Sequence, residues 1–265
     1  MYRQLAPLHP QRHAGLRLRA LQHYGFATGT LTAPFVLNEI ADVARDYPLV
    51  FPAQCDLPMV LLGVEADSNA YVHVTGRWMA SYLPSYIRHY PFALRSAPRT
   101  GTPQDQPPGK AKLTLYVDVA ASVLGKDEGE PIFQEDGELS PAMRDRVRHM
   151  EQDLQRIPAT RALVAAIEAA GILIERKIII KNASGEENAA GTFRVIDEGA
   201  LNRLDDIAFA ALRRAGALPL VYAQLLSWAH LRNGPIGRSH PLPSPKPLAG
   251  LMFNMDDSIS FPDAS

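Results

Sequence analysis

The chain has 265 residues, 46% of them hydrophobic, and 27 Lys plus Arg against 28 Asp plus Glu give it a net charge of −1. That length supplies one large domain or two small ones, each able to bury a core. The hydrophobic content excludes global disorder, and the balanced charge supplies no field that would draw the protein onto nucleic acid or an anionic membrane.

The first periodic segment follows Pro34, a residue suited to the first turn of a helix. Val36, Ile40, Val43, Ala44 and Tyr47 repeat at helical spacing until Pro48. Leu49–Phe51, Met59–Val64 and Tyr71–Val74 read as strands, with turn residues Ala66 to Asn69 among them. Such short spacings favour antiparallel neighbours. A short amphipathic segment, Trp78–His89, comes next, and Leu113–Val119 alternates as a strand does. Between these two, RSAPRTGTPQDQPPGKAK is polar and Pro-rich and reads as a loop insertion over about 96–112.

The second half is mostly helical. Ser140 followed by Pro141 is a helix start, and Met143, Val147, Met150, Leu154 and Ile157 form an apolar stripe. Arg144, Asp145, Arg146, Arg148, Glu151, Asp153 and Arg156 fall on the other faces. Thr160 is expected to cap a second helix that ends near Gly171. Ile172–Ile180 and Gly191–Ile196 read as a hairpin around a turn at 182–186. Asp197 caps a helix that runs to Gly216, and Leu218–Leu231 is the last helix. From Asn233 on, proline alternates through GPIGRSHPLPSPKP, so 234–265 reads as an extended tail.

These patterns predict an α+β fold. An antiparallel sheet drawn from about 49–119 and 172–197 is covered by helices in a single domain of residues 1–233.

No span approaches the roughly 20 apolar residues of a membrane helix, and the opening MYRQLAPLHPQRH lacks the apolar core of a secretory signal. Cytoplasmic residence is the expectation. The single cysteine, Cys55, has no disulfide partner in the chain, and it is a nucleophile only if a histidine approaches it. There is no nucleophile elbow, Walker A loop, dinucleotide fingerprint, H-E-x-x-H or C-x-x-C. No cofactor and no metal site is therefore assigned. His9 and His13 are four apart but flank Pro10, and read as surface residues. The acidic run KDEGEPIFQEDGE lacks the order of a calcium loop and reads as turns around a buried Ile132.

The most informative segment is RWMASYLPSYIRHYPFAL. Trp78, Tyr82, Tyr86 and Tyr90 are spaced by four, which on a helix makes one aromatic column beside Arg88. Trp, Tyr and Arg dominate binding hot spots. Trp78, Tyr82, Arg88 and Tyr90 are therefore the candidate binding residues, with core packing as the competing reading. An alternative, enzymatic reading places Asp118 with His89 or His73 as general acid and base.

Several blocks together resemble the SapC family of bacterial proteins. They are MYRQLAPLHPQRH, APFVLNEIADVARDYPLVF, PMVLLGV, GRW with YLPSYIRHYPF, LYVDV, GEPIFQEDGE, GTFRVIDEGALNRL and YAQLLS, running from Tyr2 to about Leu231. The family's name comes from a link with a surface layer. The resemblance implies an accessory role beside flavin-dependent halogenase-like proteins, cupin-like oxygenase relatives and TonB-dependent receptors, in substrate uptake or modification. It implies no settled activity. A surface-layer structural component is the third alternative, and it predicts self-assembly. The transporter permease of the same short name is a different protein, because this chain has no spans.

Overall fold

The computed structural model describes residues 1–53, 56–96, 113–181 and 187–239. Cys55, most of the expected loop insertion, the turn at 182–186 and the chain from His240 on lie outside these residues.

Helices and antiparallel strands make an α+β fold, as expected. The single sheet is corrected: the strands divide into four small sheets among the described residues. The first has the order β1 (Leu5–Pro7), β7 (Leu113–Asp118), β6 (Phe92–Ser96), with Leu5 opposite Asp118 and Phe92 opposite Val117. The second orders β3 (Thr32–Pro34), β5 (Met59–Leu61), β4 (Leu49–Val50). The third orders β8 (Leu124–Gly125), β2 (Arg17–Leu18), β9 (Glu130–Pro131). The fourth is the hairpin β10 (Leu173–Lys181) and β11 (Glu187–Ile196). Prolines 48, 52 and 58 flank β4 and β5 and limit them to two or three residues. Paired Phe51 and Arg194 backbones bridge the second sheet to β11. Tyr71–Val74 forms no strand. Asn69 holds that loop by accepting from the Tyr71 N–H (2.9 Å) and donating to the Ala27 carbonyl (3.1 Å).

The helices also differ from expectation in four places. Pro34 ends β3, and the helix after it, α1 (Ile40–Asp46), begins only beyond a 3-10 turn at Leu37–Glu39. After α2 (Ser85–Arg88), α3 runs unbroken from Pro141 to Ala169, capped by Ser140 and passing through Pro158. A proline inside a helix removes a hydrogen bond and costs about 3 kcal/mol. Here the helix is clamped on both sides of the proline by buried Met143 and Met150 and by Val164 and Ile167. Thr160 is not a cap: its buried hydroxyl donates to the Arg156 carbonyl (2.9 Å) and accepts from the Leu37 N–H (3.0 Å). Asp197 caps only α4 (Glu198–Asn202), because Asp205 starts a new helix, α5 (Asp206–Arg214). α6 (Leu218–Ser227) and α7 (His230–Asn233) replace the single last helix.

The extended tail is corrected at its start. Pro235–Ser239 is a helix, α8, with proline in its first turn, where the missing N–H has no partner to lose. Its Ile236 is fully buried.

Two apolar clusters result. The larger gathers Phe35, Tyr47, Phe51, Tyr71, Ile172 and Val221 among others. The smaller contains Phe92, Val117, Ile132, Met143 and Met150. α3 serves both: Met143 and Met150 pack in the smaller, Val164 and Ile167 in the larger. No helix among the described residues is long and apolar enough to cross a membrane.

Candidate functional site

The aromatic column does not form. Pro84 precedes α2, which is only four residues long, so Trp78, Tyr82, Tyr86 and Tyr90 do not share one helix face. Trp78 lies in the larger core, where its indole N–H donates to the Tyr47 hydroxyl (2.8 Å) and its ring meets Tyr24 edge-on. Tyr47 in turn donates to the Tyr82 carbonyl. Tyr90 is buried with its ring stacked on Phe26 at 3.8 Å, and its hydroxyl donates to Asp118 (3.4 Å). Burial, then the Asp118 charge and hydrogen bond, push the Tyr90 phenol up to about 12.

Tyr82 and Arg88 come together instead. The Arg88 guanidinium stands 5.7 Å above the Tyr82 ring. The Tyr82 hydroxyl donates to Glu39 (2.8 Å), a carboxylate only 1% exposed. Glu39 also accepts from the Val36 N–H, the Ser85 N–H and the Ser85 hydroxyl, at 3.2, 2.8 and 2.8 Å. A buried carboxylate with four donors is saturated, so Glu39 anchors the start of α2. The Ser85 hydroxyl is one of its four donors.

Asp118 also fails as a general acid or base. It is fully buried and accepts from the Arg3 N–H (2.9 Å), the Gln4 N–H (2.8 Å) and the Ala120 N–H (3.3 Å) besides Tyr90. His73 is bonded within its own turn, to the Thr75 hydroxyl at 2.9 Å. The His13 ring accepts from the His9 N–H (3.0 Å), a local tie. Among the described residues no three His, Cys, Asp or Glu side chains are placed to hold a metal ion.

His89 takes a different partner. Its Nε2 lies 2.9 Å from Asp153 on α3, and both side chains are largely buried. Burial opposes the ionised form of Asp153. The His89 hydrogen bond and charge, with Arg88 and Ser85, outweigh it, and the carboxyl sits below its ordinary 3.8. A depressed carboxyl contributes stability that is complete above the unfolded value and lost as pH falls through the folded one. Asp153→Asn is therefore expected to cost about 1–2 kcal/mol at pH 6. The gap to the unsubstituted protein should close below about pH 4. Urea unfolding of both proteins across that range reads it, and a gap that persists at pH 2 contradicts this account.

His89 and Asp153 together line two chambers. One, of about 470 Å³, is polar and bordered by Arg88, Glu130, Arg146, His149, Gln152 and Arg156. The other, of about 290 Å³, is apolar and bordered by Phe35, Phe92, Leu94, Met150, Leu154 and Ile157, with Tyr86 and Arg95 also on its lining. Both volumes are in or near the range of ligand pockets, about 300–1,000 Å³. Of the four candidate binding residues, Arg88 alone lines either chamber. Sequence reasoning missed Arg146, His149 and Asp153 as site residues. The available signal was their spacing with Arg156, three, four and three, which places a polar stripe beside the Met143–Ile157 stripe.

A family model described as SapC matches residues 8–233. The chain belongs to the SapC family. The matched span holds every SapC residue lining the two chambers except Tyr2. No curated protein and no solved structure matches the chain.

Proposed function

We propose that this SapC chain is a non-catalytic binding protein that holds a small ligand in the paired chambers along α3. In this role it is an accessory to uptake or to a halogenase-like partner. The observation that carries the reading is the shared His89–Asp153 wall between a polar and an apolar chamber. Ligand sites combine apolar lining with a few fixed polar groups. The burial and saturation of Asp118 support binding over chemistry.

Met143 borders the polar chamber and Met150 the apolar one, so their methyl carbons report on the site by NMR. A small-molecule library is expected to contain binders that shift these methyls, and Arg88→Ala should weaken them at least tenfold with an unchanged melting temperature. A library that moves neither methyl, or binders indifferent to Arg88, sinks the reading.

A second reading, acid–base catalysis, is favoured by the orientation of His89 by Asp153, the arrangement of a general base. His89→Gln separates the two. If the unsubstituted protein returns its bound compound unchanged, as His89→Gln also does, it is a binding protein; if it converts the compound and His89→Gln binds without converting it, it is an enzyme.

A further inference from the structure

Arg88 and Arg146 stand out among the cations of the polar chamber. Neither forms an ion pair with a carboxylate among the described residues. Aromatic faces hold them instead. Arg88 lies over Tyr82 at 5.7 Å and Arg146 over Phe92 at 5.9 Å. One Arg146 nitrogen donates to the Arg88 carbonyl (3.2 Å), which ties the two residues together. A guanidinium has five N–H donors; one of Arg146 is used on the Arg88 carbonyl, and the fork that remains matches a carboxylate.

The chamber's acids do not fill this seat. Asp145 is engaged by Arg148 at 2.9 Å, and Asp153 by His89, with its charge also acting on Arg88 from outside ion-pair distance. Glu130 remains, near enough for its charge to act on Arg146 but outside ion-pair distance. Burial lowers the proton affinity of Arg146, Glu130 counteracts this, and Arg88 adds to it. A partly dehydrated cation beside a like charge is stabilised by an anion. Glu130 disfavours a dianion, so the seat suits a single negative charge. Phe92, under Arg146, is also a wall of the apolar chamber. The seat and the apolar volume therefore share a boundary.

We propose that Arg88 and Arg146 seat the head of an apolar monocarboxylate whose body occupies the chamber of Phe35, Phe92, Met150, Leu154 and Ile157. This rests on the binding reading above and names the class of its ligand. The body is an alkyl chain or an aryl group, and the probes distinguish them.

The test uses the full chain with decanoate, 4-phenylbutyrate, decanol and acetate. Calorimetry gives affinities and the two methionine methyls give location. Decanoate or 4-phenylbutyrate is expected to shift both methyls. Decanol should bind at least tenfold more weakly than decanoate, and acetate should leave Met150 unmoved. Arg146→Gln should weaken the carboxylates at least tenfold and leave decanol unchanged, with Arg88→Lys as a second variant that keeps the charge but loses the fork. Whichever carboxylate binds more tightly assigns the body as alkyl or aryl, and either result supports the proposal. Equal binding of decanol and decanoate, or an equal loss of both in Arg146→Gln, overturns it and leaves the binding reading standing. If none of these probes moves either methyl, the proposal falls; if the wider library also moves neither, the binding reading falls with it.

Discussion

Glu39→Ala is expected to lower the unfolding free energy by about 3–5 kcal/mol, a large share of the roughly 5–15 kcal/mol that holds a domain together. The substitution strips the acceptor from two backbone N–H groups and two hydroxyls in an environment that is almost closed to water. Each unsatisfied buried donor costs about 1–3 kcal/mol, and the hydroxyls recover part of that by turning to other partners. The loss should appear as a lower urea midpoint with an unchanged slope. Glu39→Gln keeps the shape but presents an amide to donors, and should fall between the two. A cost of Glu39→Ala below about 1 kcal/mol means that water enters the cradle and satisfies the donors.

Asp118→Ala should cost about 2–4 kcal/mol by the same physics, with a localised signature. Its carboxylate is the acceptor for the backbone of Arg3 and Gln4, just before β1. Amide hydrogen exchange at Arg3 and Gln4 should accelerate far more than exchange in the β10–β11 hairpin. Uniform acceleration across the chain would mean that Asp118 supports the whole fold rather than the seam with β1.

What was legible in the sequence was mostly local. The Ser140–Pro141 start, the end of α3 near Gly171 and the cap at Asp197 are set by neighbouring residues, and the structure keeps them, whereas burial along β7 rises from an exposed Leu113 to a buried Val117 and Asp118 instead of alternating. Thr160 shows the limit of that reasoning. Its hydroxyl has the chemistry of a cap, yet contacts with Leu37 on one side and burial on the other carry the helix through Pro158. Ile236 shows it again, because proline alternation says nothing about an isoleucine that can dock on the core.

The site was legible only in part. Arg88 lies at a chamber, but the spacing of four that drew attention to it reflects no helix: Pro84 leaves α2 one turn long. Trp78 and Tyr90 went to core neighbours far away in sequence. Glu39 is one charge in an apolar run, and its three donor residues include Tyr82 and Ser85 on a different segment. His89 and Asp153 are 64 residues apart, and nothing local announces that they will pair.

The placement of β1 has a consequence for synthesis. Arg3 and the carboxylate that receives its N–H are 115 residues apart in the chain. At roughly 5–20 residues per second, the ribosome needs on the order of 10 s to deliver the partner strand after the opening segment has been made. For that interval the segment through Pro7 has no sheet to join and is open to nascent-chain chaperones. The β10–β11 hairpin, by contrast, can close as soon as its own residues emerge.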